Sequence, residues 1–581
     1  MTRSGGELAV KCLERGGIRV AFGTCGHTNI ALLDAFADSA IRFISVRHEQ
    51  VAAHAADAYF RVSGIPAALI LHNGPGLTNA LTGIGDAMGD SSAVVAIVGD
   101  VATRHHGRDA FQEVALHADA AQWEIARPLV KRAWKIDVLE RLPDSISRAV
   151  TLATTGRPGP VLLSVAMDLF SVRTELEPTG PPNPAAYARI RGDRTAIERA
   201  ANLLRGAQRP TIVAGGGAQA ARAGGAILAL AARLGAPVVT TLSGRGVVPE
   251  DEALVVGPVG RSGNPAANRA GVDADVLLAL GTQFPEQDSS SWVSGYTYAI
   301  PPTKLIHVDL DPSQFGKIYP TEVAIAGDVR SVVEELLAEL GPGSGDRTRV
   351  ATLRDELQRW TDEKLMPLMT SNADPIHPAR VLHELRAALP HDANVMGDVG
   401  WGKNGTAQFF PVYAPATIHV ASGFGTMGFA AASVLGAKLA RPHAPAVAIT
   451  GDGGFSSCFS AVMTAVEYGI PVVWVVINNG AFQSIMGLQQ RHFGRTLGTV
   501  FGETQAPGYN PNFAELARAC GVEAIRVERA GDLAAAFAAA LAAPGPFVLD
   551  IVTDPEAIPF STGFWDIHDI YAGAPHAVPS A

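Results

Sequence analysis

Short apolar segments alternate along this chain with longer segments in which apolar residues recur every three or four positions. In the first part of the chain the apolar segments lie at 18–22, 41–46, 67–71, 93–98 and 161–165. Such segments are typical of strands that are buried on both faces, and the longer segments are typical of amphipathic helices. The alternation predicts an α/β fold in which helices cover both faces of a parallel, doubly wound sheet.

The same alternation returns twice further along the chain. A second group of apolar segments lies at 211–214, 237–241, 276–279 and 304–308. A third group includes 446–449 and 471–477. We therefore predict three doubly wound parallel-sheet domains, the first and third of which share one architecture.

Two segments rich in Pro or Gly separate these groups, at 177–184 and 341–346. Such composition is typical of linkers, because Gly and Pro interrupt regular structure. The predicted limits are 1–175, 190–345 and 375–555 for the three domains, and 556–581 for an irregular C-terminal tail.

The composition of the chain excludes several classes of function. The chain has 581 residues, is 47% hydrophobic and carries a net charge of −10 without a basic patch, so nucleic-acid binding is excluded. It shows neither a signal peptide nor an 18-residue apolar run, which predicts a cytoplasmic protein that does not enter membranes. Four dispersed cysteines are too few for a disulfide framework or a zinc site.

The pattern with the most chemical content is Gly-Asp-Gly-Gly at 451–454, directly after an apolar segment. A helix predicted at 455–468 and another apolar segment lead to Asn478 and Asn479. A parallel βαβ unit places Asp452 and these Asn residues at the same sheet edge. Carboxylate and amide oxygens suit Mg²⁺ or Ca²⁺ held together with phosphate oxygens, whereas zinc is not indicated. An ordinary turn followed by an Asn cap would have the same residues, and only the spacing favours the metal site.

A second carboxylate of interest is Glu49, which follows the apolar segment 41–46 and opens a helix predicted at 51–62. A Glu at this position usually compensates the helix dipole, so it does not indicate a function by itself. A Gly-Pro-Gly turn at 74–76 also joins a predicted strand to a helix and can pack against a flat ring.

Taken together, these patterns resemble the thiamine diphosphate enzymes of the acetohydroxyacid synthase, benzoylformate decarboxylase and pyruvate oxidase superfamily. The resemblance extends along nearly the whole chain and implies pyrimidine-binding, central and diphosphate-binding domains. It implies thiamine diphosphate and Mg²⁺ as cofactors, with the metal held by Asp452, Asn479 and the carbonyl of Ala481. The further motifs that carry it are 22–23, 72–79, 111–113, 156–160 and 423–428.

The resemblance also assigns residues to the cofactor. Glu49 matches the carboxylate that bonds the aminopyrimidine ring nitrogen, which lets the ring take the proton from the thiazolium C2. Met427 matches the bulky residue that wedges the cofactor into its bent shape. The full set of implied cofactor-binding residues is Glu49, Pro75, Asn79, Gly425, Met427, Asp452, Gly453, Gly454 and Asn479.

Substrate chemistry is expected around the loop that contains Gly26 and His27. A cyclohexane-1,2-dione hydrolase has the same Gly-His-Thr there, and His72 falls where that enzyme and benzoylformate decarboxylase carry an active-site His. Histidines at these positions could shuttle protons near neutral pH, and Gln112 could donate to a substrate oxygen. The catalytic residues are thus expected to be Glu49, His27, His72 and Gln112. The expected substrate contacts are Gly26, His27, His72, Gln112, Gln483, Ile485 and Leu488.

Three departures from the synthase pattern limit the assignment. Leu488 stands where synthases commonly have Trp, and residues 166–168 are Ala-Met-Asp where they have a Lys. Both changes count against a housekeeping acetohydroxyacid synthase. In the central domain a Gly-rich turn at 215–217 looks like a nucleotide fingerprint, but Gln283 replaces the expected Arg, so flavin is not predicted.

These observations predict an enzyme that cleaves or forms a C–C bond next to a carbonyl, with a 2-oxoacid decarboxylase or carboligase favoured. One alternative is a C–C hydrolase or lyase that acts on a dione or a 2-hydroxyacyl substrate. The other is a non-catalytic protein that binds thiamine diphosphate. The resemblance implies a homodimer or homotetramer in which two subunits share each active site.

Overall fold

Each third of the chain forms a six-stranded sheet in which every pair of neighbouring strands is parallel. The computed structural model describes residues 2–114, 121–181, 189–503 and 509–573. Parts of two predicted segments, 182–184 of the connector and 574–581 of the tail, lie outside these residues. The prediction of three doubly wound α/β domains is confirmed.

The strands of each sheet follow a spatial order that differs from their order along the chain. From edge to edge, the first sheet contains Arg42–Ser45, Val20–Gly23, Ala67–Leu71, Val94–Asp100, Val161–Ala166 and Arg132–Ile136. The central sheet contains Val255–Pro258, Val238–Thr240, Pro210–Ala214, Val276–Leu280, Lys304–Asp309 and Val323–Ala326. The third sheet contains Ile418–Val420, Asn394–Gly397, Ala446–Gly451, Val473–Asn478, Phe547–Val552 and Glu523–Val527. A two-stranded antiparallel pair joins Arg3–Ser4 to Arg173–Thr174.

Helices cover both faces of each sheet. Those of the first domain are Gly5–Arg15, Ile30–Ala37, Glu49–Ser63, Pro75–Gly89, Gln122–Ala126, Leu142–Thr154 and Met167–Ser171. Those of the central domain and the segment after it are Arg194–Gly206, Gly216–Ala220, Gly224–Leu234, Pro265–Val272, Val329–Leu340, Thr348–Trp360 and Met366–Met369. Those of the third domain and the tail are Pro378–Ala388, Asn404–Phe409, Phe429–Ala440, Asp452–Ser457, Ala461–Tyr468, Gln483–Phe493, Phe513–Ala519, Leu533–Ala542 and Ile567–Tyr571.

Strand order locates the binding crevices. When the strands of each sheet are numbered along the chain, both outer sheets have the order 2-1-3-4-6-5 and the central sheet has 3-2-1-4-5-6. In a doubly wound sheet, ligands bind at the carboxyl ends of the strands where the order reverses. In the outer sheets this point lies between Val20–Gly23 and Ala67–Leu71, and between Asn394–Gly397 and Ala446–Gly451.

The predicted helix at 455–468 is wrong in one respect, because two helices occupy this segment. They are Asp452–Ser457 and Ala461–Tyr468. The hydroxyls of Ser456 and Ser457 bond to the carbonyls of Asp452 and Gly454, at 2.7 and 2.8 Å. Serine hydroxyls that bond to nearby carbonyls compete with regular helix, which accounts for the break.

The first and third domains pack through two helices, Glu49–Ser63 and Phe429–Ala440. Their buried residues belong to one continuous apolar core. The approach is close: a Cβ atom on Gly436 would lie 1.9 Å from the carbonyl oxygen of Ala55. Gly436 therefore allows a contact between these helices that no larger residue permits.

Asp90 joins all three domains. Its carboxylate accepts hydrogen bonds from Arg61 at 3.2 Å and from the backbone N–H groups of Ser422 and Gly423, each at 3.1 Å. The hydroxyl of Ser243 in the central domain lies 3.4 Å from its other oxygen. One carboxylate thus links the end of helix Pro75–Gly89 to both other domains.

Within the four described ranges, none of the helices has the length and apolar character needed to span a bilayer.

Candidate active site

Glu49 is the first residue of helix Glu49–Ser63, and two side chains hold its carboxylate. Thr24 Oγ1 donates to Glu49 Oε1 at 2.8 Å, and Asn79 Nδ2 donates to Oε2 at 3.0 Å. His48 caps the helix by accepting a hydrogen bond from the backbone N–H of Gln50. The carboxylate is therefore held in one orientation at the crevice where the strand order of the first sheet reverses, between loops that follow two adjacent strands.

His27 and His72 form a hydrogen-bonded pair beside this crevice. His72 Nε2 lies 2.9 Å from His27 Nδ1, and His72 Nδ1 lies 2.8 Å from the carbonyl oxygen of Asn73. A carbonyl only accepts, so His72 carries its proton on Nδ1. In the neutral pair, His27 Nδ1 donates to His72, and the lone pair on His27 Nε2 remains available. Burial lowers the pKa of His72, and the neighbouring His27 lowers it further, both of which favour this neutral state.

Gly26 makes the histidine pair possible. A Cβ atom at Gly26 would lie 1.7 Å from Cδ2 of His72, which is within the ring's own volume. The His72 ring therefore occupies the space that any other residue at position 26 would fill. This explains the Gly-His-Thr order of the loop, in which the glycine admits one imidazole and the next residue supplies the other.

The segment that carries Phe111 and Gln112 packs against the same turn. Asn73 Nδ2 lies 3.1 Å from the carbonyl oxygen of Gln112, and a Cβ atom on Gly74 would lie 2.5 Å from that oxygen. The Phe111 ring is 76% exposed and lies 5.5 Å from the His27 ring. The side-chain amide of Gln112 makes no hydrogen bond to any described residue.

The third domain forms the second half of the predicted site. Asp452 is buried, and its carboxylate accepts backbone N–H bonds from Gly453 at 2.7 Å, Asn479 at 3.0 Å and Gly480 at 2.6 Å. Burial raises its pKa to about 6. Asn479 Oδ1 accepts a bond from the backbone N–H of Ala481 at 3.1 Å, so the three predicted metal ligands lie on one loop cluster.

This cluster suits a cation bound together with phosphate. A buried carboxylate that faces only backbone amides is stabilised when a cation approaches it. Within the described residues no three His, Cys, Asp or Glu side chains gather at one point, so the cluster cannot form an all-side-chain metal cage. Mg²⁺ typically completes its shell with substrate or cofactor phosphates in such a case.

The glycines beside Asp452 form a close-packed cradle. A Cβ atom on Gly453 would lie 2.5 Å from the ring of Phe482, and one on Gly454 would lie 2.8 Å from Asp398 Oδ2. Only glycine fits at these two positions, and the bare backbone lets a phosphate approach. The donor set and the cradle thus fit a metal and a diphosphate, with Asp452, Asn479 and the Ala481 carbonyl as the residues that would hold Mg²⁺.

Asp398 is a site residue that sequence reasoning missed. Its buried carboxylate accepts bonds from Thr450 Oγ1 at 3.0 Å and from the backbone N–H of Gly428 at 3.1 Å. Burial raises its pKa to about 6. It therefore ties the segment that contains Met427 to the strand that precedes Asp452. A signal for it exists in the sequence, since Gly-Asp at 397–398 follows an apolar segment just as it does at 451–452.

Met427 and Gly425 lie on the segment that Asp398 holds. The Met427 side chain is 42% exposed, and Gly425 has a φ of +73°, which favours glycine. Gln50, which follows Glu49 in the chain, lies with its Nε2 3.3 Å from the carbonyl oxygen of Met427. An exposed Met between two ordered loops is consistent with the predicted contact to a cofactor.

Gln483 occupies a different position from the one that we expected for a substrate contact. It is buried, and its Nε2 donates to the carbonyl oxygens of Pro555, at 2.8 Å, and Ala557. Its Oε1 accepts a bond from Asn479 Nδ2 at 3.1 Å. These bonds use its polar groups to position Asn479. On the same helix Ile485 is exposed and Leu488 is half-buried, as a contact residue requires.

The Gly-rich turn of the central domain has a packing explanation. A Cβ atom on Gly215 would lie 2.3 Å from the carbonyl oxygen of Gly281. The glycines at 215–217 therefore let two strand ends meet, and this requirement exists whether or not a nucleotide binds. The remaining predicted residue, Pro75, begins helix Pro75–Gly89, where its fixed φ suits the first helical position.

Comparison with known proteins agrees with the fold. Three family models match in order: the N-terminal binding domain of thiamine pyrophosphate enzymes at 3–122, the central domain at 197–336, and the C-terminal binding domain at 398–551. These matches define the class: the protein is a thiamine diphosphate-dependent enzyme that acts on carbon–carbon bonds.

Curated relatives define its place within that class. The chain is 35% identical to a probable acetolactate synthase large subunit of Methanocaldococcus jannaschii, over 96% of this chain and 93% of the relative. It is 32% identical to the acetolactate synthase isozyme 2 large subunit of Escherichia coli, over 95% and 96%. The chain therefore belongs to the acetohydroxyacid synthase family of thiamine diphosphate enzymes, as the resemblance predicted.

Proposed function

We propose that this protein is an acetolactate synthase-like carboligase, which cleaves a 2-oxo acid and joins the remaining fragment to a second carbonyl compound. The observation that carries the proposal is the crevice beside Glu49, where His27 and Gln112 present polar groups that bond no other described residue, near an oriented carboxylate. The proposal includes Mg²⁺ and assigns Asp452, Asn479 and the Ala481 carbonyl as its ligands.

Bound thiamine diphosphate supplies a nucleophilic ring carbon that adds to carbonyl groups and accepts the electron pair released by C–C cleavage. Glu49 would exchange a proton with the aminopyrimidine ring, because Thr24 and Asn79 hold its carboxylate in one orientation. Gly453 and Gly454 would face the diphosphate. The exposed side chain of Met427 would pack against the cofactor and support its bent shape. Pro75 and Gly425 would shape the loops on either side.

The histidine pair is suited to proton transfer. His27 Nε2 can take a proton, and the Nδ1–H of His27 is held by His72, whose own Nδ1–H is held by Asn73. The chain of hydrogen bonds stabilises positive charge on His27 by orienting two dipoles toward it. Gln112 would donate its amide N–H groups to a substrate oxygen, while Ile485 and Leu488 would contact the apolar part of the substrate.

A second candidate function is hydrolytic or lyase cleavage of a dione or a 2-hydroxyacyl compound. The histidine pair favours it, because a base with a free lone pair can activate water beside the reacting carbonyl. Both reactions need the same cofactor and the same Glu49. They differ in the fate of the fragment and in the release of carbon dioxide.

One experiment separates the two functions. Purified protein with thiamine diphosphate and Mg²⁺ is mixed with a panel of 2-oxo acids, with and without a second carbonyl compound, and then with cyclic 1,2-diones. The carboligase proposal expects carbon dioxide from at least one 2-oxo acid and a coupled product detected by NMR. Ring opening of a dione without carbon dioxide release from any 2-oxo acid would favour the hydrolase and refute the carboligase.

We also propose a homodimer, or a tetramer made of two dimers, in which one subunit contributes the Glu49 half of each site and its partner the Asp452 half. The support is that each half stands at the carboxyl edge of a separate sheet, and that Met427 and Ile485 are exposed beside them. Mixing inactive Glu49→Gln protein with inactive Asp452→Ala protein should restore activity after subunit exchange. No activity after verified exchange would mean that both halves come from one chain.

A further inference from the structure

A cavity of about 840 Å³ lies where the three domains meet, and none of the residues proposed for catalysis or cofactor binding lines it. Its volume is within the range of small-molecule sites, which is roughly 300–1,000 Å³. The segments that line it come from all three domains: 60–65 and 90–92 from the first, 216–228 and 242–249 from the central, and 415–420 and 440–441 from the third.

Two arginines that form no ion pair with any described carboxylate line this cavity. Within the described residues, neither Arg222 nor Arg441 forms an ion pair. Arg222 Nη2 lies 3.5 Å from the carbonyl oxygen of Ser63, and Arg441 Nη1 lies 3.3 Å from Asn394 Oδ1. Each guanidinium has five N–H donors, so most of them remain available. Burial and then the positive charge of Arg222 lower the pKa of Arg441, and the negative charge of Asp392, which forms no ion pair with it, raises that pKa.

The remaining arginine of the lining already has carboxylate partners. Arg61 is paired with Asp57 at 2.6 Å and with Asp90 at 3.2 Å. Arg222 and Arg441 are thus the cations of the wall that no carboxylate of the described residues pairs directly. Two adjacent guanidinium groups repel each other unless an anion lies between them, and carboxylate and phosphate groups match their geometry.

The rest of the lining indicates that the ligand has a carbon skeleton. The apolar part of the wall includes Phe60, Leu228, Val247 and Ile418. Helix Gly224–Leu234 begins at the cavity, and Gly224 and Gly225 of its first turn belong to the lining. The positive end of the helix dipole adds to the attraction that the two arginines exert on an anion.

We infer that this cavity binds an organic anion, a carboxylate or phosphate carried on an apolar or heterocyclic body, with its oxyanion held by Arg222 and Arg441. The site is separate from the proposed active site. It adjoins the Arg61–Asp90 pair, which also holds Ser422 and Gly423 at the start of the segment that leads to Met427. A ligand there is in position to act as an effector of the enzyme.

Calorimetry on the holoenzyme, saturated with thiamine diphosphate and Mg²⁺, tests the inference. The probes are inorganic phosphate, succinate and adenosine monophosphate, with adenosine as the neutral reference. The inference expects saturable binding of at least one anion and none of adenosine. Preference among the three probes distinguishes a phosphate from a carboxylate ligand. Failure of all three anions to bind would overturn it.

A second test uses arginine variants and determines where in the protein the anion binds. The double variant Arg222→Gln/Arg441→Gln should weaken binding of the anion at least tenfold, whereas Arg347→Gln, an exposed arginine outside the cavity, should leave it unchanged. Unchanged affinity in the double variant would refute the inference. Hydrogen exchange of the wild-type protein should show ligand-dependent protection at 60–65, 216–225 and 415–420, and protection confined to other segments would refute it as well.

Discussion

His72 Nε2 accepts a hydrogen bond from His27 Nδ1 over 2.9 Å, and this bond joins a buried imidazole to an exposed one at the first-domain crevice. The direction follows from the Asn73 carbonyl, which requires the proton of His72 to be on Nδ1. In the proposed function, the two imidazoles would act as one acid–base unit. The exposed His27 would exchange protons, and the buried His72 would set its orientation.

We predict that His27→Gln and His72→Gln each reduce kcat/KM by about 10²-fold or more, which is typical for loss of a general acid–base group. Because the two residues act as a unit, the double variant should be about as slow as the slower single variant. The measurement is steady-state kinetics on the best substrate of the panel. His105→Gln, a histidine outside the pair, is the control. Multiplicative losses would contradict a shared role.

Glu49→Gln preserves the size of the side chain and its bond from Thr24, but the amide cannot exchange a proton with the aminopyrimidine ring. We predict that exchange of the C2 proton of bound thiamine diphosphate slows by at least about 10²-fold. NMR of quenched samples in deuterated solvent measures this rate. Exposed Glu140→Gln should exchange as the wild type does. Wild-type exchange in the Glu49 variant would assign the role to another carboxylate.

Asp452→Ala removes the only side-chain carboxylate of the proposed metal ligand set. The diphosphate then lacks the cation that neutralises it, so we predict loss of thiamine diphosphate from the purified protein. Cofactor content after gel filtration in the presence of Mg²⁺ measures the effect. Asp362→Ala, at an exposed helical position, is the control and should retain the cofactor. Full occupancy in the Asp452 variant would reject the metal assignment.

Gly26→Ala should displace the His72 ring, because the added Cβ would lie 1.7 Å from Cδ2. We predict a loss of activity comparable to that of His72→Gln, with the cofactor still bound. Gly206→Ala is a matched control, since a Cβ atom there meets nothing within 4 Å. Kinetics together with cofactor content test the prediction. Wild-type activity in Gly26→Ala would mean that the His72 position is not needed.

Buried His307 leads to a prediction about stability. Burial lowers its pKa to about 4, and its Nε2 donates to the Thr282 carbonyl at 2.9 Å. The unfolded chain takes up a proton near pH 6.5 while the folded protein does not, so stability is lost as pH falls from about 6.5 towards 4. Between pH 7 and 5 the wild type should lose about 2 kcal/mol more than His307→Gln. Urea denaturation at both pH values measures it, and equal losses would contradict the assignment.

Much of the fold can be predicted from the sequence, because buried parallel strands are nearly continuous apolar segments. The segment 67–71 coincides with strand Ala67–Leu71. The edge strands Arg132–Ile136 and Val323–Ala326 are not predicted, because they mix exposed and buried positions. The edge strand Arg42–Ser45 is predicted, from the apolar segment 41–46. A pattern that depends on burial of both faces therefore detects some strands at the edge of a sheet and misses others.

The candidate site is predictable where a residue type and a spacing together imply chemistry. Asp452 and Asn479 meet through backbone bonds, and Glu49 meets Asn79, as a shared sheet edge requires. Spacing does not tell which polar side chains use their hydrogen bonds within the protein itself. For this reason the sequence suggests a substrate contact for Gln483, which instead bonds to the tail, and does not reveal Asp398, which orders two site loops.

Asp90 has a consequence for how the chain folds as it is synthesised. Its two backbone donors, Ser422 and Gly423, come 332 and 333 residues later in the sequence. Until the ribosome has made them, the Asp90 carboxylate has two of its four described partners, Arg61 and, once the central domain is complete, Ser243. The polar network around Asp90 is therefore completed only when the third domain arrives, and chains truncated before residue 422 lack two of its four described hydrogen bonds.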